Sequence, residues 1–257
     1  MCTVTYLPTS AGFVLTHNRD EAPDRSPKII ERADSNYGGT LLFPRDTRAG
    51  GTWVAAAQSG KIACLLNGAF VKHAHRPPYR RSRGLLLLDF FDWADSDDFF
   101  GRYDLDGIEP FTLLFFQQKK SANAENSRRT VEFRWDGQAR HHTNLPSHTP
   151  HFWCSATLYS PDWQVRREQV FRDWLRQKSA ALRRPKAALL DLHLHGSVGD
   201  PEFDFVMNRG NRVRTVSVSQ VTVDKNFARL RYLDLLSDNQ DERAIRLRDR
   251  EKISVNG

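Results

Sequence analysis

Apolar and polar residues alternate at both ends of this chain, and longer apolar runs fill its middle. Residues 2–7 (CTVTYL) and 12–17 (GFVLTH) are rich in β-branched and aromatic side chains. Pro8-Thr9-Ser10-Ala11 separates them, which predicts a β-hairpin at the start. Residues 18–44 are polar, hold Gly38-Gly39 and three prolines, and read as a long ordered loop. A second hairpin is expected from 51–57 (GTWVAAA) and 61–66 (KIACLL) around Gln58-Ser59-Gly60. Apolar positions recur at helical spacing over 82–100, and Gly101 closes that helix. Residues 111–118 (FTLLFFQQ) are apolar enough for a buried strand. A polar loop follows over 119–129, and VEFRW at 131–135 alternates as a half-buried strand.

The second half continues in kind. Residues 152–158 predict a short strand, and Ser160-Pro161-Asp162 opens a helix running to about Leu182. Pro185 opens another helix over 186–194. RVRTVSVSQVTV at 212–223 alternates strongly, with 227–235 as its hairpin partner. Strand pairs, then helices, then strand pairs suggest antiparallel sheets with helices packed outside. The expected organisation is one domain over 1–237 and a highly charged tail over 238–257, where a short helix and a frayed end both remain open.

Composition narrows the class. Of 257 residues, 39% are hydrophobic and 27% charged, a globular balance. The longest aliphatic run, residues 85–88, is far short of the roughly 20 apolar residues a membrane span needs. The first residues show no basic start and no apolar core of a secretory signal. The three cysteines, Cys2, Cys64 and Cys154, are too few and too odd for a disulfide framework, so a cytoplasmic location is expected. Net charge is 38 − 31 = +7. Five of the cations fall in residues 72–83 (KHAHRPPYRRSR) with no acid among them. No nucleic-acid-binding signature accompanies the run, so it reads as a solvated basic loop before a helix. His73, His75, His193 and His195 have no partners for a structural zinc set and read as surface residues. Asp89, Asp92, Asp95, Asp97 and Asp98 read as a solvated helix face, and no metal is expected.

The candidate chemistry begins at Cys2. If Met1 is removed, one residue carries a thiol and a free α-amine, whose reference pKa values are about 8.5 and 7.7–8.0. Nucleophile and base then share a residue near neutral pH. Asn18-Arg19-Asp20-Glu21 follows the second strand, and the hairpin brings it beside Cys2. There an arginine lowers the thiol pKa, and an acid can orient the ammonium. Gly50-Gly51-Thr52-Trp53 permits close backbone approach. Asn67, before Gly68 at the end of a strand, can aim an amide N–H at an oxyanion.

These pieces together resemble the NRDE family, whose eukaryotic members are called transport and Golgi organisation protein 2. Met1-Cys2, Asn18-Arg19-Asp20-Glu21, Gly50-Gly51-Thr52-Trp53, Gly60-Lys61-Ile62-Ala63 leading to Asn67, and Arg81-Ser82-Arg83-Gly84 carry the resemblance. Ser160-Pro161-Asp162-Trp163 and Arg214-Thr215 carry it more thinly. It implies an α+β fold of the N-terminal-nucleophile (Ntn) hydrolase type: a four-layer αββα sandwich of two antiparallel sheets between helices. It also implies kinship to penicillin V acylase and bile-salt hydrolase. By position, Cys2 is then the nucleophile, Arg19 and Asp20 its charge partners, Asn67 an oxyanion donor and Arg214 a late arginine. Where the family often has Ser-Asn, this chain has Ser155-Ala156, which removes a second oxyanion donor and argues against a fast amidase.

Two functions remain open at this level. One is hydrolysis of a C–N amide in a small molecule, with Arg19, Arg214 and the 72–83 loop attracting an anionic substrate. The other is non-catalytic binding or trafficking of haem or an anionic metabolite, with Cys2 or His17 on the iron. The hydrolase reading needs no cofactor; haem is the ligand of the alternative. Oligomeric state is not legible.

Overall fold

Two antiparallel sheets stack face to face, and each carries helices on its outer side. The computed structural model describes residues 2–25, 29–118, 128–177 and 184–248. The first sheet runs in the order β10 (His151–Cys154), β1 (Cys2–Pro8), β2 (Phe13–Glu21), β12 (Val213–Val223), β13 (Phe227–Asp234) and β14 (Gln240–Arg246). The two-residue β11 (Asn208–Arg209) adds to β12. The second sheet follows chain order: β3 (Ile30–Ser35), β4 (Gly39–Pro44), β5 (Val54–Ala57), β6 (Lys61–Asn67), β7 (Phe111–Gln118), β8 (Arg128–Trp135) and β9 (Arg140–Leu145).

Alternation sorts the core into three layers. Val4, Tyr6, Phe13 and Leu15 of the first sheet meet Leu42, Val54, Ile62 and Leu114 of the second between the sheets. On the outer face of the second sheet, α1 (Arg83–Asp89) and α2 (Ser96–Arg102) close over Leu65, Leu113 and Phe115. On the outer face of the first, α3 (Pro161–Gln177) and α4 (Pro185–His195) bury Phe171, Trp174, Leu189 and Leu192 against Leu7 and Val14. This is the four-layer αββα sandwich. Strand β7 packs on both faces, which is why it reads as an unbroken apolar run.

Several elements depart from the sequence reading. Residues 30–44 are not loop but the hairpin β3–β4, turned at Gly39 with φ +69°. The helix expected over 82–100 is broken. Lys61 Nζ takes the carbonyls of Trp93 (2.7 Å) and Ala94 (3.1 Å), and Asp95 caps a new helix by accepting from the Asp97 N–H at 2.6 Å. Residues 140–145 form β9, unanticipated from their polar sequence. Residues 240–246 are neither helix nor frayed end. They pair with β13 as β14 and bring Ile245 and Leu247 into the core between the sheets. Of the polar loop expected over 119–129, residues 119–127 lie outside the described residues, as do 178–182 of the expected helix and the end of the tail from 249. No helix among the described residues is long and apolar enough to cross a membrane.

Candidate active site

The register of the first hairpin builds the site. β1 and β2 pair so that Cys2 stands opposite Arg19 and Thr3 opposite Asn18. Asn18-Arg19-Asp20-Glu21 is therefore the end of β2, not the turn after it. The motif is held as strand because β12 pairs with its other edge. Alternation then divides it between two faces. Arg19 faces the second sheet, where its guanidinium is bound by the Asp46 carboxylate and lies 4.1 Å from the centre of the Trp53 ring. Asn18 and Asp20 face the helices.

The helix side is a buried polar network. The Asn18 amide donates to the carbonyls of His193 (2.9 Å) and Phe205 (2.7 Å), and its oxygen accepts from His193 Nδ1 at 2.5 Å. Burial holds the His193 pKa well below the ordinary value, so the ring is neutral, and with Nδ1 donating to Asn18 its Nε2 accepts from the Thr5 hydroxyl at 2.7 Å. The Asp20 carboxylate accepts from Tyr159 Oη (3.0 Å) and Thr215 Oγ1 (2.7 Å). Burial raises its pKa, and Arg167 opposes that rise. Arg167, from α3, is fully buried. It donates to Thr3 Oγ1, next to Cys2, and to the carbonyls of Phe203 and Asp204, and stacks 4.2 Å over the Tyr159 ring.

Thr215 reaches Asp20 through a β-bulge. The register of β12 against β2 shifts between Thr215, opposite Asp20, and Ser217, opposite Arg19, leaving Val216 as the extra residue. Such a bulge reverses which face the residues beyond it present. Without it, Thr215 would lie on the face of Arg19.

Arg19 and Asn67 both line a cavity of about 350 Å³. Asn67 ends β6, and its carbonyl accepts from Ser155 Oγ at 2.7 Å. Gly68 follows with φ +81°, and a Cβ there would come within 2.8 Å of the Thr157 methyl and 3.5 Å of Ala156. Ala156 thus packs on the Asn67-Gly68 turn and offers no side-chain donor to it. The far wall depends on two glycines. A Cβ on Gly51 would come within 2.3 Å of the Gly84 backbone, and Gly84 accepts a hydrogen bond from the Thr52 N–H at 3.1 Å. The glycine motif and the Arg81-Ser82-Arg83-Gly84 motif exist to touch each other.

The remaining expected residues fall apart from this group. Arg214 lies opposite Glu21, but its guanidinium bonds Asn211 (3.3 Å) and does not line the cavity. His17 is fully buried between the sheets, with Nε2 3.3 Å from the Leu65 carbonyl, and burial lowers its pKa to about 3. It does not reach the cavity. His193 is not a surface residue, because Asn18 and Thr5 hold it inside. His73 and His75 converge on Glu109 at 2.9 and 3.0 Å. Among the described residues, no group of His, Cys, Asp and Glu is arranged to hold a metal ion. The sequence reading missed Arg167, Tyr159 and Asp46. A single arginine on the apolar face of α3 was the legible signal for the first.

The layers, the strand order and a cavity at the end of β1 and β2 define an Ntn-hydrolase fold, and solved structures agree. A C2A mutant of conjugated bile acid hydrolase from Clostridium perfringens matches with TM-score 0.50 and 10% identity, over 100% of this chain and 99% of that one. A Caenorhabditis elegans N-acylethanolamine-hydrolyzing acid amidase ortholog matches with TM-score 0.52 and 15% identity, over 85% and 92%. Penicillin V acylase from Agrobacterium tumefaciens matches with TM-score 0.52 and 10% identity, over 94% and 85%. The chain itself belongs to the Transport and Golgi organisation 2 family, whose family model matches residues 1–224. No curated protein matches it significantly by sequence.

Proposed function

We propose that the protein hydrolyses a C–N amide in a small molecule, with Cys2 as nucleophile. The observation that carries the reading is the pairing of Cys2 with Arg19 at the edge of a cavity that Arg19 and Asn67 line, in a fold shared with acylases and amidases. Removal of Met1 frees the Cys2 amine to take the thiol proton. The sulfur attacks the amide carbon and the carbonyl oxygen becomes an oxyanion, toward which Asn67 donates an N–H. The C–N bond breaks, the amine departs with the proton held by the Cys2 amine, and water hydrolyses the thioester. Arg19, held by Asp46 and Trp53, is the cation that stands opposite Cys2 to favour a thiolate. Asp20 acts from the opposite face of β2, as part of the packing that fixes the strand. With alanine at 156, turnover lacks one side-chain oxyanion donor, a loss of about 10²–10³ in kcat where such a donor is removed.

The test is a screen of purified protein against small amides, with haem binding in parallel and Cys2→Ala alongside. Intact mass establishes whether Met1 is absent. Cys2-dependent turnover on protein lacking Met1 is expected. Saturable haem binding sensitive to Cys2→Ala, with no cleavage, would replace the reading with the carrier alternative.

Thiol reactivity adds a second check. Cys64 is fully buried, and burial pushes the Cys154 thiol up to about 12, Arg167 opposing. Iodoacetamide should therefore modify Cys2 first, and Arg19→Ala should slow it. Equal labelling of the three thiols would argue that no activated cysteine exists.

A further inference from the structure

The cavity wall holds a histidine outside the Cys2–Arg19 pair. The loop after β6 carries His73 and His75, and both rings place a nitrogen on the same oxygen of Glu109. His73 Nε2 lies at 2.9 Å from it and His75 Nδ1 at 3.0 Å. The other Glu109 oxygen is bound by Arg83 at 2.9 Å. Burial works against ionisation of Glu109, yet Arg83 and the two histidines outweigh it and hold its carboxyl below the usual range. A carboxylate only accepts, so each ring gives it an N–H. The two rings then differ. His73 is 16% exposed and is not on the cavity wall, whereas His75 is 68% exposed and is. Tyr79 flanks the His75 ring at 5.4 Å, and its hydroxyl accepts from the Arg76 N–H at 2.7 Å. With the proton of Nδ1 on Glu109, the neutral His75 ring keeps a lone pair on Nε2. That nitrogen has no partner among the described residues.

The pair is built onto the Asn67 corner. Asn67 stands opposite Phe111 in the β6–β7 ladder, and Glu109 lies two residues before Phe111. The Pro110 carbonyl between them accepts from the Gly68 N–H at 3.0 Å and from Arg83 at 3.1 Å. Asn67, Glu109 and His75 line one cavity. An acceptor, the carboxylate that orients it and an amide donor therefore share a wall. We propose that His75 is a second proton-transfer residue of the site, taking the proton of the water that hydrolyses the Cys2 thioester, with Glu109 as its positioning residue. The thioester itself rests on the hydrolase reading. The Cys2 amine serves the first half of the reaction, carrying the thiol proton to the leaving amine. Water enters afterwards from solvent, where the exposed ring meets it. One water O–H gives its proton to His75 Nε2 as the oxygen bonds to the thioester carbon. The tetrahedral intermediate collapses, the C–S bond breaks, and the imidazolium returns the proton to the Cys2 sulfur. A carboxylic acid leaves and both side chains are restored.

The experiment uses p-nitrophenyl acetate, which acylates a reactive thiol whatever the natural amide. A burst of nitrophenolate reports acetylation of Cys2, and the slope after it reports hydrolysis of the acetyl thioester. Cys2→Ala and intact mass assign the burst. His75→Ala should keep the burst and lower the slope about a hundredfold. Added imidazole should restore part of the slope in that variant. Between about pH 5 and 8, where imidazoles titrate, the wild-type slope should fall toward acid, and His75→Ala should lose that limb. Glu109→Gln should lower the slope and move the limb to lower pH, since a neutral amide no longer favours the imidazolium. His73→Gln, on the same carboxylate but off the cavity wall, should leave the slope near that of the wild type. A slope unchanged by His75→Ala, no gain from imidazole, a limb that survives, or an equal loss in His73→Gln would overturn the proposal. The two readings fail separately. An intact burst with an unchanged slope removes His75 and leaves Cys2 as nucleophile. Absence of a Cys2-dependent burst removes the hydrolase reading and the role of His75 with it.

Discussion

The two helical layers do the same structural job with different materials. Over the second sheet, α1, α2 and the turn between them bury an aromatic cluster. Phe90 lies 5.1 Å from Phe99 and 5.2 Å from Phe115, and Phe100 stacks on Phe133 at 4.9 Å. Over the first sheet, α3 and α4 bury Arg167 and His193 against Thr3, Thr5, Asn18 and Asp20. Both layers cover one sheet face, so the fold does not require polar groups there. Burying a charge is costly unless it is paired and hydrogen-bonded. The polar layer sits behind the two strands that carry Cys2 and Arg19, and the apolar layer does not. The contrast separates what holds the sandwich from what holds the site.

The comparison is tested most severely at Arg167. Arg167→Ala leaves Asp20 buried without its cation and opens two carbonyls, so a loss of about 3–5 kcal/mol in unfolding free energy is expected. Phe91→Leu in the aromatic layer keeps most of the volume and should cost under about 1.5 kcal/mol. Denaturant midpoints of the two variants check this. Equal losses would mean that the polar network is ordinary packing.

Acid should act through two buried histidines on the two sides of the first sheet, His193 in the polar layer and His17 between the sheets. His17 is neutral in the fold, with a pKa of about 3 against 6.5 in the unfolded chain, and burial lowers that of His193 in the same direction. A group with a lowered folded pKa contributes stability present above its unfolded pKa. That stability is lost as pH falls, here from about 6.5 toward 3, at up to about 1.4 kcal/mol per pH unit for each histidine. Melting curves between pH 7 and pH 4 should show this slope, and His17→Phe should flatten it. A wild-type midpoint independent of pH over that range would contradict the assignment of neutral buried rings.

Asp20 carries the opposite sign. Its pKa is raised by burial despite Arg167, so its share of stability is present at low pH and lost as pH rises through the folded pKa. Asp20→Asn should therefore raise the unfolding midpoint modestly at pH 7–8, with no gain below about pH 4. A destabilised Asp20→Asn at pH 8 would show that the hydrogen bonds to Tyr159 and Thr215 outweigh the buried charge.

What the sequence disclosed follows the same division. The central strands were legible because they are buried: β7 on both faces, β12 and β13 by alternation. Five strands were missed; β4 is interior and β11 is only two residues long, while the other three, β3, β9 and β14, are sheet edges. Their exposed positions carry residues such as Arg32, Arg140 and Glu242, the charges that discourage edge-to-edge pairing. Those charges erase the hydrophobic pattern that would reveal a strand. Among the candidate residues, the facing of Cys2 and Arg19 came from the hairpin, a local fact, while Asn67 came from a strand end together with the family resemblance. Arg167 and Asp46 were not legible, because 148 and 27 residues separate them from Arg19. The reversal at Val216 was equally hidden, since the strong alternation of β12 gives no sign of a bulge.

The smallest effect sharpens the comparison from within the first sheet. Beyond the bulge, Ser217 and Ser219 are buried, and neither hydroxyl has a hydrogen-bond partner among the described residues. They pair in register with Arg19 and His17, on the face toward the second sheet. A buried hydroxyl without a partner forfeits its hydration and gains nothing in return, so removing it is close to neutral or stabilising. Ser219→Ala should change the unfolding free energy by less than about 0.5 kcal/mol, or raise it. Arg167→Ala, which removes the bonds of two guanidinium nitrogens to Thr3 and to two carbonyls, should cost several times more. Denaturation of the two variants side by side decides whether buried polarity in this sheet matters by its amount or by its connections. A loss above about 1 kcal/mol at Ser219 would mean that an ordered water completes a second network there, beside His17 Nδ1, which also lacks a protein partner among the described residues.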